Sequence, residues 1–272
     1  MPQRPIRPKL GQNFLVSATA QAAIVDALGD LAHRAVVEIG PGRGAITALL
    51  AARAARLIAI ELDRELAPRL RQQFAEQGGV EIRNEDVLET DFAALRNADP
   101  AHGKLGKLLV VGNLPYYITS DILLRLFHFS GDIDRAVVMI QREVAHRVAA
   151  EPGTSDYGLL SATAQLYARV EKLMTLPPGA FSPPPQVHST VLRLTMAPRF
   201  AELGVAPEPF IAFLRAGFAQ KRKMLAKNLR NAGYDAARIS SALAASSIPS
   251  QSRAEEIDLE RMARLFRELL RS

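Results

Sequence analysis

The first two thirds of the chain alternate short apolar runs with stretches in which apolar residues recur every three or four positions. This alternation predicts an α/β fold with a largely parallel sheet. Because the early runs are almost wholly apolar, we expect both faces of that sheet to be covered. The predicted strands are Ala35–Ile39, Leu57–Glu61, Val80–Asn84, Leu108–Gly112, Ala136–Gln141 and Val187–Leu194. The clearest predicted helices between them are Ala45–Arg56 and Glu65–Gln77.

The pattern changes after Leu194, where the alternation of strands and helices stops. The segment Met196–Pro209 contains three prolines and a glycine, a composition typical of linkers. We therefore expect an α/β domain over residues 1–196 and a small all-α domain over residues 197–272. The helices predicted in the second domain are Phe210–Ala219, Lys223–Asn231, Ala236–Ala245 and Leu259–Leu270.

Composition excludes several kinds of site. The 272 residues include no cysteine, which rules out disulfides, thiolate metal sites and cysteine nucleophiles. The five histidines are scattered without the spacing of metal ligands, so we expect no metal ion. The apolar runs are far shorter than the ~20 residues that span a bilayer, and the basic, proline-containing start lacks the apolar stretch of a secretory signal. We expect a soluble cytoplasmic protein and, without a coiled-coil pattern or a long edge strand, a monomer.

A glycine-rich loop follows the first predicted parallel strand. There Glu38 precedes three glycines at Gly40, Gly42 and Gly44. Glycine lets the backbone turn tightly and lets a nucleotide approach the main chain. Turn glycines without a ligand are one alternative, and Gly40-x-Gly42-x-x-Ala45 also fits the looser pattern of NAD-binding folds. The acidic residue and the third glycine favour S-adenosylmethionine instead, because that molecule has no pyrophosphate and carries a cationic end.

The next two predicted strands lead into carboxylates. Glu61 ends the second strand, where it could accept hydrogen bonds from both hydroxyls of a ribose. Asp86 follows the third strand, where it could accept one from the amino group of the cofactor adenine. An acid after a strand is common, so Asp86 alone carries little weight. The order of all three strand ends favours S-adenosylmethionine, since ligands of such sheets bind at the carboxyl ends of the strands.

The turn Asn113-Leu114-Pro115-Tyr116 follows the fourth predicted strand directly. The N6 amino group of adenine is a poor nucleophile because its lone pair is conjugated into the ring, and methylation needs acceptors for its hydrogens rather than a strong base. An asparagine oxygen and a backbone carbonyl fixed by proline can accept them, while the Tyr116 ring can stack on a flipped base. A strand-ending turn with a buried tyrosine is the alternative. We favour the functional interpretation because the preceding strands already indicate S-adenosylmethionine.

Four motifs in this order resemble those of the rRNA adenine N6-dimethyltransferases. The resemblance extends from about Lys9 to Leu194 and into the helical tail. It is strongest to the housekeeping branch, which dimethylates two adjacent adenosines in a hairpin loop near the 3′ end of small-subunit (16S) rRNA. The motifs are Gly11–Leu15, Glu38–Gly44, Asn113–Tyr116 and Phe181–Val187.

The resemblance also implies a role for individual residues. Asn113 and the Leu114 carbonyl would contact the target amino group, and Tyr116 and Phe181 would sandwich the target base. The implied contacts to S-adenosylmethionine come from Asn13, Leu15, Gly40, Glu61, Asp86 and Asn113.

Basic residues outnumber acidic ones by 34 to 28, a net charge of +6, and two groups of them indicate RNA binding. A run of cations is often only the solvated face of a helix. Two such groups in a basic protein favour an RNA footprint, whose contacts would be to phosphates. The first group, the N-terminal arm, is Arg4, Arg7 and Lys9. The second group, the basic cluster, is Lys221, Arg222, Lys223, Lys227 and Arg230.

Three other functions compete with small-subunit rRNA dimethylation. One is a ribosome-assembly or transcription factor whose methyltransferase site is residual. Another is an adenine methyltransferase for large-subunit rRNA, from which the residues alone do not separate this chain. The third, an NAD-dependent oxidoreductase, is suggested only by the Gly40–Ala45 spacing and leaves Asn113–Tyr116 unexplained.

Overall fold

The computed structural model describes residues 13–98 and 105–271, and a seven-stranded mixed sheet organises them. The strands are β1 (Phe14–Leu15), β2 (Ala35–Ile39), β3 (Arg56–Ile60), β4 (Val80–Arg83), β5 (Leu108–Asn113), β6 (Ile133–Gln141), β7 (Ala168–Leu176), β8 (Phe181–Ser182) and β9 (Ser189–Met196). In the large sheet they lie in the order β4-β3-β2-β5-β6-β9-β7. The first five strands in this order, from β4 across to β6, are parallel to one another. Strand β9 pairs antiparallel with both β6 and the edge strand β7, so β9 alone runs in the opposite direction. The predicted α/β class is confirmed.

Helices cover the sheet and form most of the chain beyond it. The α-helices are α1 (Ala18–Asp26), α2 (Ala45–Ala51), α3 (Leu66–Gln73), α4 (Phe92–Asn97), α5 (Thr119–His128), α6 (Arg142–Val148), α7 (Leu159–Tyr167), α8 (Phe200–Leu203), α9 (Pro207–Gly217), α10 (Leu225–Asn231), α11 (Ala236–Ala245) and α12 (Leu259–Leu270).

Alternate residues of the central strands enter two different cores. Val37 of β2 and Val110 of β5 belong to the core on the face covered by α5, whereas Val36 and Leu109 belong to the core covered by α1 and α2. This arrangement explains why β2 and β5 are apolar at nearly every position, since successive side chains of a strand point to opposite faces. Both strands are thereby fixed in the middle of the molecule, with their carboxyl ends at one edge.

A third core forms among the C-terminal helices. Phe266 of α12 lies 5.4 Å from Phe210 and 5.3 Å from Phe213 between ring centroids, both on α9. Helix α7, which precedes the predicted linker, contributes Leu166 to the same core. The last residue of α7, Tyr167, stacks on Phe127 of α5 at 5.6 Å between ring centroids. Helix α7 therefore packs against both the sheet domain and the C-terminal helices.

Several predicted boundaries were wrong. Helix α2 ends at Ala51, and β3 already begins at Arg56, so the helix predicted over Ala45–Arg56 was too long. Strand β9 is shifted two residues towards the C-terminus from Val187–Leu194. Strand β7 was not predicted at all, because this edge strand has a bulge and is partly exposed on both faces. The segment predicted as a linker contains α8 and the start of α9.

Candidate functional site

A cavity of about 620 Å³ opens at the carboxyl ends of β2, β3, β4 and β5. It is lined by the loop that follows each of these strands and by β1, which closes it from the N-terminal side. Six residues predicted to contact the cofactor line this one cavity: Asn13, Leu15, Gly40, Glu61, Asp86 and Asn113. Among the residues predicted to contact the target base, Leu114 and Tyr116 line it as well.

The glycine loop needs its glycines. Gly40, Gly42 and Gly44 have φ angles of 68°, 59° and 81°, in the left-handed region that favours glycine. Gly42 is also crowded, since a Cβ there would lie 2.9 Å from the Phe14 ring. The loop therefore turns back tightly after β2 and lets Phe14 of β1 pack directly against the main chain.

Glu61 holds the glycine loop in place. Its side chain is buried, with Oε2 accepting a hydrogen bond from the Gly42 N–H at 3.1 Å and Oε1 accepting one from the Asp63 N–H at 2.9 Å. Burial raises the pKa of Glu61, and the N–H donors of Asp63 and Gly42 oppose that rise. The loop geometry thus depends on a carboxylate at the end of the neighbouring strand.

Glu38 is a second buried carboxyl group in the cavity wall. It is 2 % exposed, and its Oε2 has no hydrogen-bond partner. Burial raises the pKa of Glu38 to about 7; interaction with Thr47 opposes this rise and the Glu61 carboxylate adds to it. Together with Glu85 and Asp86, the carboxyl groups of Glu38 and Glu61 make the cavity wall acidic at the carboxyl ends of β2, β3 and β4. Such a wall suits a ligand with a cationic end.

The amide of Asn113 links the end of β5 to the N-terminal segment. Its Nδ2 donates a hydrogen bond to the Asn13 carbonyl at 3.0 Å, which leaves Oδ1 buried and without a partner. The Leu114 N–H donates to the Met139 carbonyl at 3.0 Å, so the turn that follows is fixed to β6. A buried acceptor without a donor is unfavourable unless a ligand supplies one. Asn113 lines the cavity, so its unpartnered oxygen lies in the cavity wall.

Tyr116 and Phe181 are placed differently. The Tyr116 hydroxyl lies 3.0 Å from Ser189 Oγ on β9, which fixes the ring at the cavity wall. Phe181 is 3 % exposed and is not among the residues that line the cavity. It lies directly behind the wall, since β8 pairs with β1 and Phe181 is opposite Leu15. The segment that closes the cavity is thus held by the strand that carries Phe181.

Sequence reasoning gave no role to four residues that shape the site: Phe14, Gln21, Arg43 and Ser189. Arg43 Cζ lies 4.4 Å from the Phe14 ring centroid, a cation–π contact between the glycine loop and β1. Gln21 of α1 donates from Nε2 to the Leu15 carbonyl at 2.8 Å. Phe14 and Arg43 belong to motifs and could have been noticed there, whereas the partners of Ser189 and Gln21 follow only from tertiary structure.

The basic cluster lies outside the cavity. Its cations are on the loop between α9 and α10 and on α10 itself, and all five are exposed. Asn228 is buried beneath this loop and donates from Nδ2 to the carbonyls of Gly217 at 2.7 Å and Gln220 at 3.1 Å. Lys221 donates to the Ser155 carbonyl. The N-terminal arm, predicted to bind RNA through Arg4, Arg7 and Lys9, lies outside the described residues.

The described ranges lack both a metal-binding cluster and a membrane-spanning helix. Residues 13–98 and 105–271 contain no group of three or more His, Cys, Asp or Glu side chains that could hold a metal ion. Over these ranges no helix combines the length and the apolar character needed to cross a bilayer.

The largely parallel sheet carries a glycine loop after β2, a buried carboxylate after the next strand and an acidic cavity at its strand ends. These features define a class of enzyme, the Rossmann-like methyltransferases, with S-adenosylmethionine as methyl donor. Over residues 4–270 the chain matches the family described as ribosomal RNA adenine dimethylase, and it belongs to that family. The predicted fold class, cofactor and family are confirmed. An NAD-dependent oxidoreductase is not favoured.

Individual relatives agree with this assignment. The chain is 63% identical over 263 residues to the "Ribosomal RNA small subunit methyltransferase A" of Acidobacterium capsulatum, covering 97% of this chain and 91% of that protein. It is 54% identical over 271 residues to the protein of the same name from Koribacter versatilis, covering 97% and 94%.

Two solved structures share the fold. A dimethyladenosine transferase from Plasmodium falciparum superposes with a TM-score of 0.74 at 22% identity, covering 93% of this chain and 95% of that one. The 23S rRNA methyltransferase ErmE superposes with a TM-score of 0.70 at 24% identity, covering 95% and 100%. At these identities the similarity shows the fold alone.

Burial of Glu38 makes stability depend on pH. Its pKa is about 7 in the folded protein and near 4.5 when exposed, so the folded state binds more protons between these values. The free energy of unfolding should therefore fall as pH rises through this window. One pKa unit is worth about 1.4 kcal/mol, so the stability of Glu38→Gln relative to wild type should grow by roughly 2–3 kcal/mol from about pH 5 to about pH 8. Urea unfolding of both proteins across this pH range measures the difference. If their free energies of unfolding changed with pH in parallel, the raised pKa of Glu38 would be contradicted.

Proposed function

We propose that the protein transfers methyl groups from S-adenosylmethionine to N6 of two adjacent adenosines in a hairpin loop near the 3′ end of small-subunit (16S) rRNA. The product would be N6,N6-dimethyladenosine, formed during biogenesis of the small ribosomal subunit. The names of the relatives at 63% and 54% identity support the small subunit as the source of the substrate. The observation that carries the chemistry is that Asn113 lines the cavity and that its Oδ1 is buried without a hydrogen-bond partner.

The residues present fit S-adenosylmethionine. The glycine loop leaves its main chain free of side chains at Gly40, and Glu38 offers a buried carboxyl oxygen without a partner. We assign the ribose to Glu61 and the adenine to Asp86, with Asn13 and Leu15 closing over the cofactor. When bound, S-adenosylmethionine supplies a methyl group already activated by its sulfonium centre.

The turn after β5 would hold the target base. Asn113 Oδ1 and the Leu114 carbonyl would accept hydrogen bonds from the N6 hydrogens, so that the nitrogen lone pair leaves conjugation with the ring and faces the methyl group. Each transfer would form one N6–C bond, break the C–S bond to release S-adenosylhomocysteine, and give one N6 proton to water. Tyr116 would stack on the base, its ring already fixed by the contact with Ser189 at 3.0 Å. Phe181 would support the opposite side of the base from behind the cavity wall, where it lies opposite Leu15. Orientation of this kind supplies roughly 7–11 kcal/mol of a reaction barrier and needs no general base.

RNA would be held mainly by charge. The basic cluster and the N-terminal arm carry eight cations, and phosphate contacts of this kind position a substrate without reading its sequence. An unpaired loop suits the site because bases outside a helix can be splayed into a pocket. We further propose that the protein acts as a monomer in the cytoplasm, where ribosomal subunits are assembled.

The alternatives differ in what supports them. ErmE acts on 23S rRNA by its name, but its similarity to this chain shows the fold alone and does not favour the large subunit. A ribosome-assembly or transcription role would not need the Asn113 acceptor, and the relatives that support the small subunit are named as methyltransferases.

Methyl transfer to purified ribosomal subunits tests the proposal directly. Small subunits that lack base methylation are incubated with labelled S-adenosylmethionine, and the RNA is mapped by mass spectrometry. We expect label in two adjacent dimethylated adenosines near the 3′ end of the small-subunit rRNA. Label only in large-subunit rRNA would overturn the substrate, and binding of S-adenosylmethionine without any transfer would favour the assembly role.

Replacing the acceptor should abolish chemistry while sparing RNA binding. Asn113→Ala removes Oδ1 and should lower kcat by roughly 10²-fold or more, as loss of a preorganised polar contact does elsewhere. Asn97→Ala, at an exposed asparagine in the last position of α4, serves as the matched control and should keep wild-type turnover. Single-turnover methyl transfer and a filter-binding assay separate the two effects. Comparable turnover in Asn113→Ala would refute the mechanism.

The basic cluster should determine how steeply RNA affinity depends on salt. Arg222→Gln combined with Lys223→Gln should reduce the slope of log K against log salt by about 0.7 for each phosphate that the variant no longer neutralises. Lys221 is left unchanged because it also contacts Ser155. Arg169→Gln combined with Lys172→Gln, at two exposed cations on β7, controls for the same loss of net charge. An identical slope in the double variant and the wild type would show that the cluster is only a solvated surface.

A further inference from the structure

Two consecutive tyrosines follow Pro115 and line the same cavity, yet they differ in exposure. Tyr116 is partly buried and its hydroxyl contacts Ser189. Tyr117 is 64% exposed, which makes it the most exposed of the large apolar side chains in the described part of the molecule. An aromatic ring kept at the mouth of a cavity and in contact with water suggests a ligand that covers it.

The charges around the cavity indicate which ligand can reach this ring. The carboxylates of the wall come from β2 and from the loops after β3 and β4, which lie on one side of β5 in the sheet. The lining residues from 113 to 118, in the loop after β5, include no carboxylate. A phosphodiester chain is repelled by the acidic side and can approach over the loop after β5. That approach leads past Tyr117.

We propose that Tyr117 forms a stacking subsite for the nucleobase next to the target adenosine in unpaired RNA. The inference rests on the proposed function, because a base held against Tyr116 brings its covalently linked neighbour to the cavity mouth. Val16, 54% exposed, is a second exposed apolar residue of the cavity lining. Every nucleobase has a face that stacks on an aromatic ring, so the subsite distinguishes an unpaired strand from a duplex rather than one base from another.

Substitution of the exposed ring tests the subsite without disturbing the core. With under-methylated small subunits as substrate, Tyr117→Ala should raise KM for RNA on the order of tenfold. The dissociation constant for S-adenosylmethionine should stay at the wild-type value. Tyr117→Phe should recover most of the loss because it restores the ring. Leu124→Ala, which truncates another exposed apolar side chain (40%, on α5), is the matched control and should behave as wild type.

A second substrate separates stacking from a structural effect. In small subunits reconstituted with rRNA that lacks the base beside the target adenosine, Tyr117→Ala and wild type should have the same KM. The subsite would be overturned if Tyr117→Ala raised KM equally on both substrates, or if its KM on the intact substrate equalled that of the wild type. If wild type transfers methyl groups to intact subunits in the same assay, the proposed function survives that failure. If wild type transfers none, the proposed function fails and the subsite fails with it.

Discussion

The hydrogen bond from Asn113 Nδ2 to the Asn13 carbonyl is the interaction on which the site depends. It joins the central strand of the sheet to a segment 100 residues earlier in the chain and fixes the direction of the amide. With Nδ2 occupied, Oδ1 is left as a buried acceptor without a partner, on a residue that lines the cavity. The same bond holds the N-terminal segment in place, and β1 in turn pairs with the strand that carries Phe181. One amide thus connects the cofactor side, the proposed base side and the segment that closes both.

The sheet order separates the charges that the two substrates need. Strands β4, β3 and β2 bring buried or partly buried carboxylates to one half of the cavity, and β5 brings a neutral turn to the other. A cationic methyl donor is attracted by the first half and a polyanion is repelled by it. The cations of the basic cluster lie on a different part of the molecule, on and before α10. Because the attraction of RNA by this cluster is separated from the cavity, the acidic wall need not be neutralised for the cluster to bind RNA.

The sequence predicted those strands whose apolar pattern reflects burial on both faces of the sheet. Strands β2, β3 and β5 are apolar on both faces, so their positions and the strand-end motifs were found nearly to the residue. Strand β7 has polar, exposed positions and a bulge, and its pattern does not distinguish it from a loop. The end of α2 was missed because the alanine-rich stretch after it contains no helix breaker. Contacts such as Tyr116 with Ser189, 73 residues apart, depend on tertiary packing and have no local signal.

The placement of neutral acceptors and carboxylates accounts for the absence of a catalytic base from the proposed mechanism. A carboxylate beside the target amino group would attract its hydrogens strongly, but it would also lie next to the incoming phosphodiester chain and repel it. In the proposed mechanism the amide oxygen of Asn113 and a backbone carbonyl would accept hydrogen bonds from the same hydrogens without a net charge. The buried carboxyl groups remain on the opposite half of the cavity, where Glu38 and Glu61 face the cofactor side. Because the sulfonium already activates the methyl group, what the chain must add is a fixed orientation of the amino nitrogen, and the bonds of Asn113 and Leu114 to the surrounding backbone supply that rigidity.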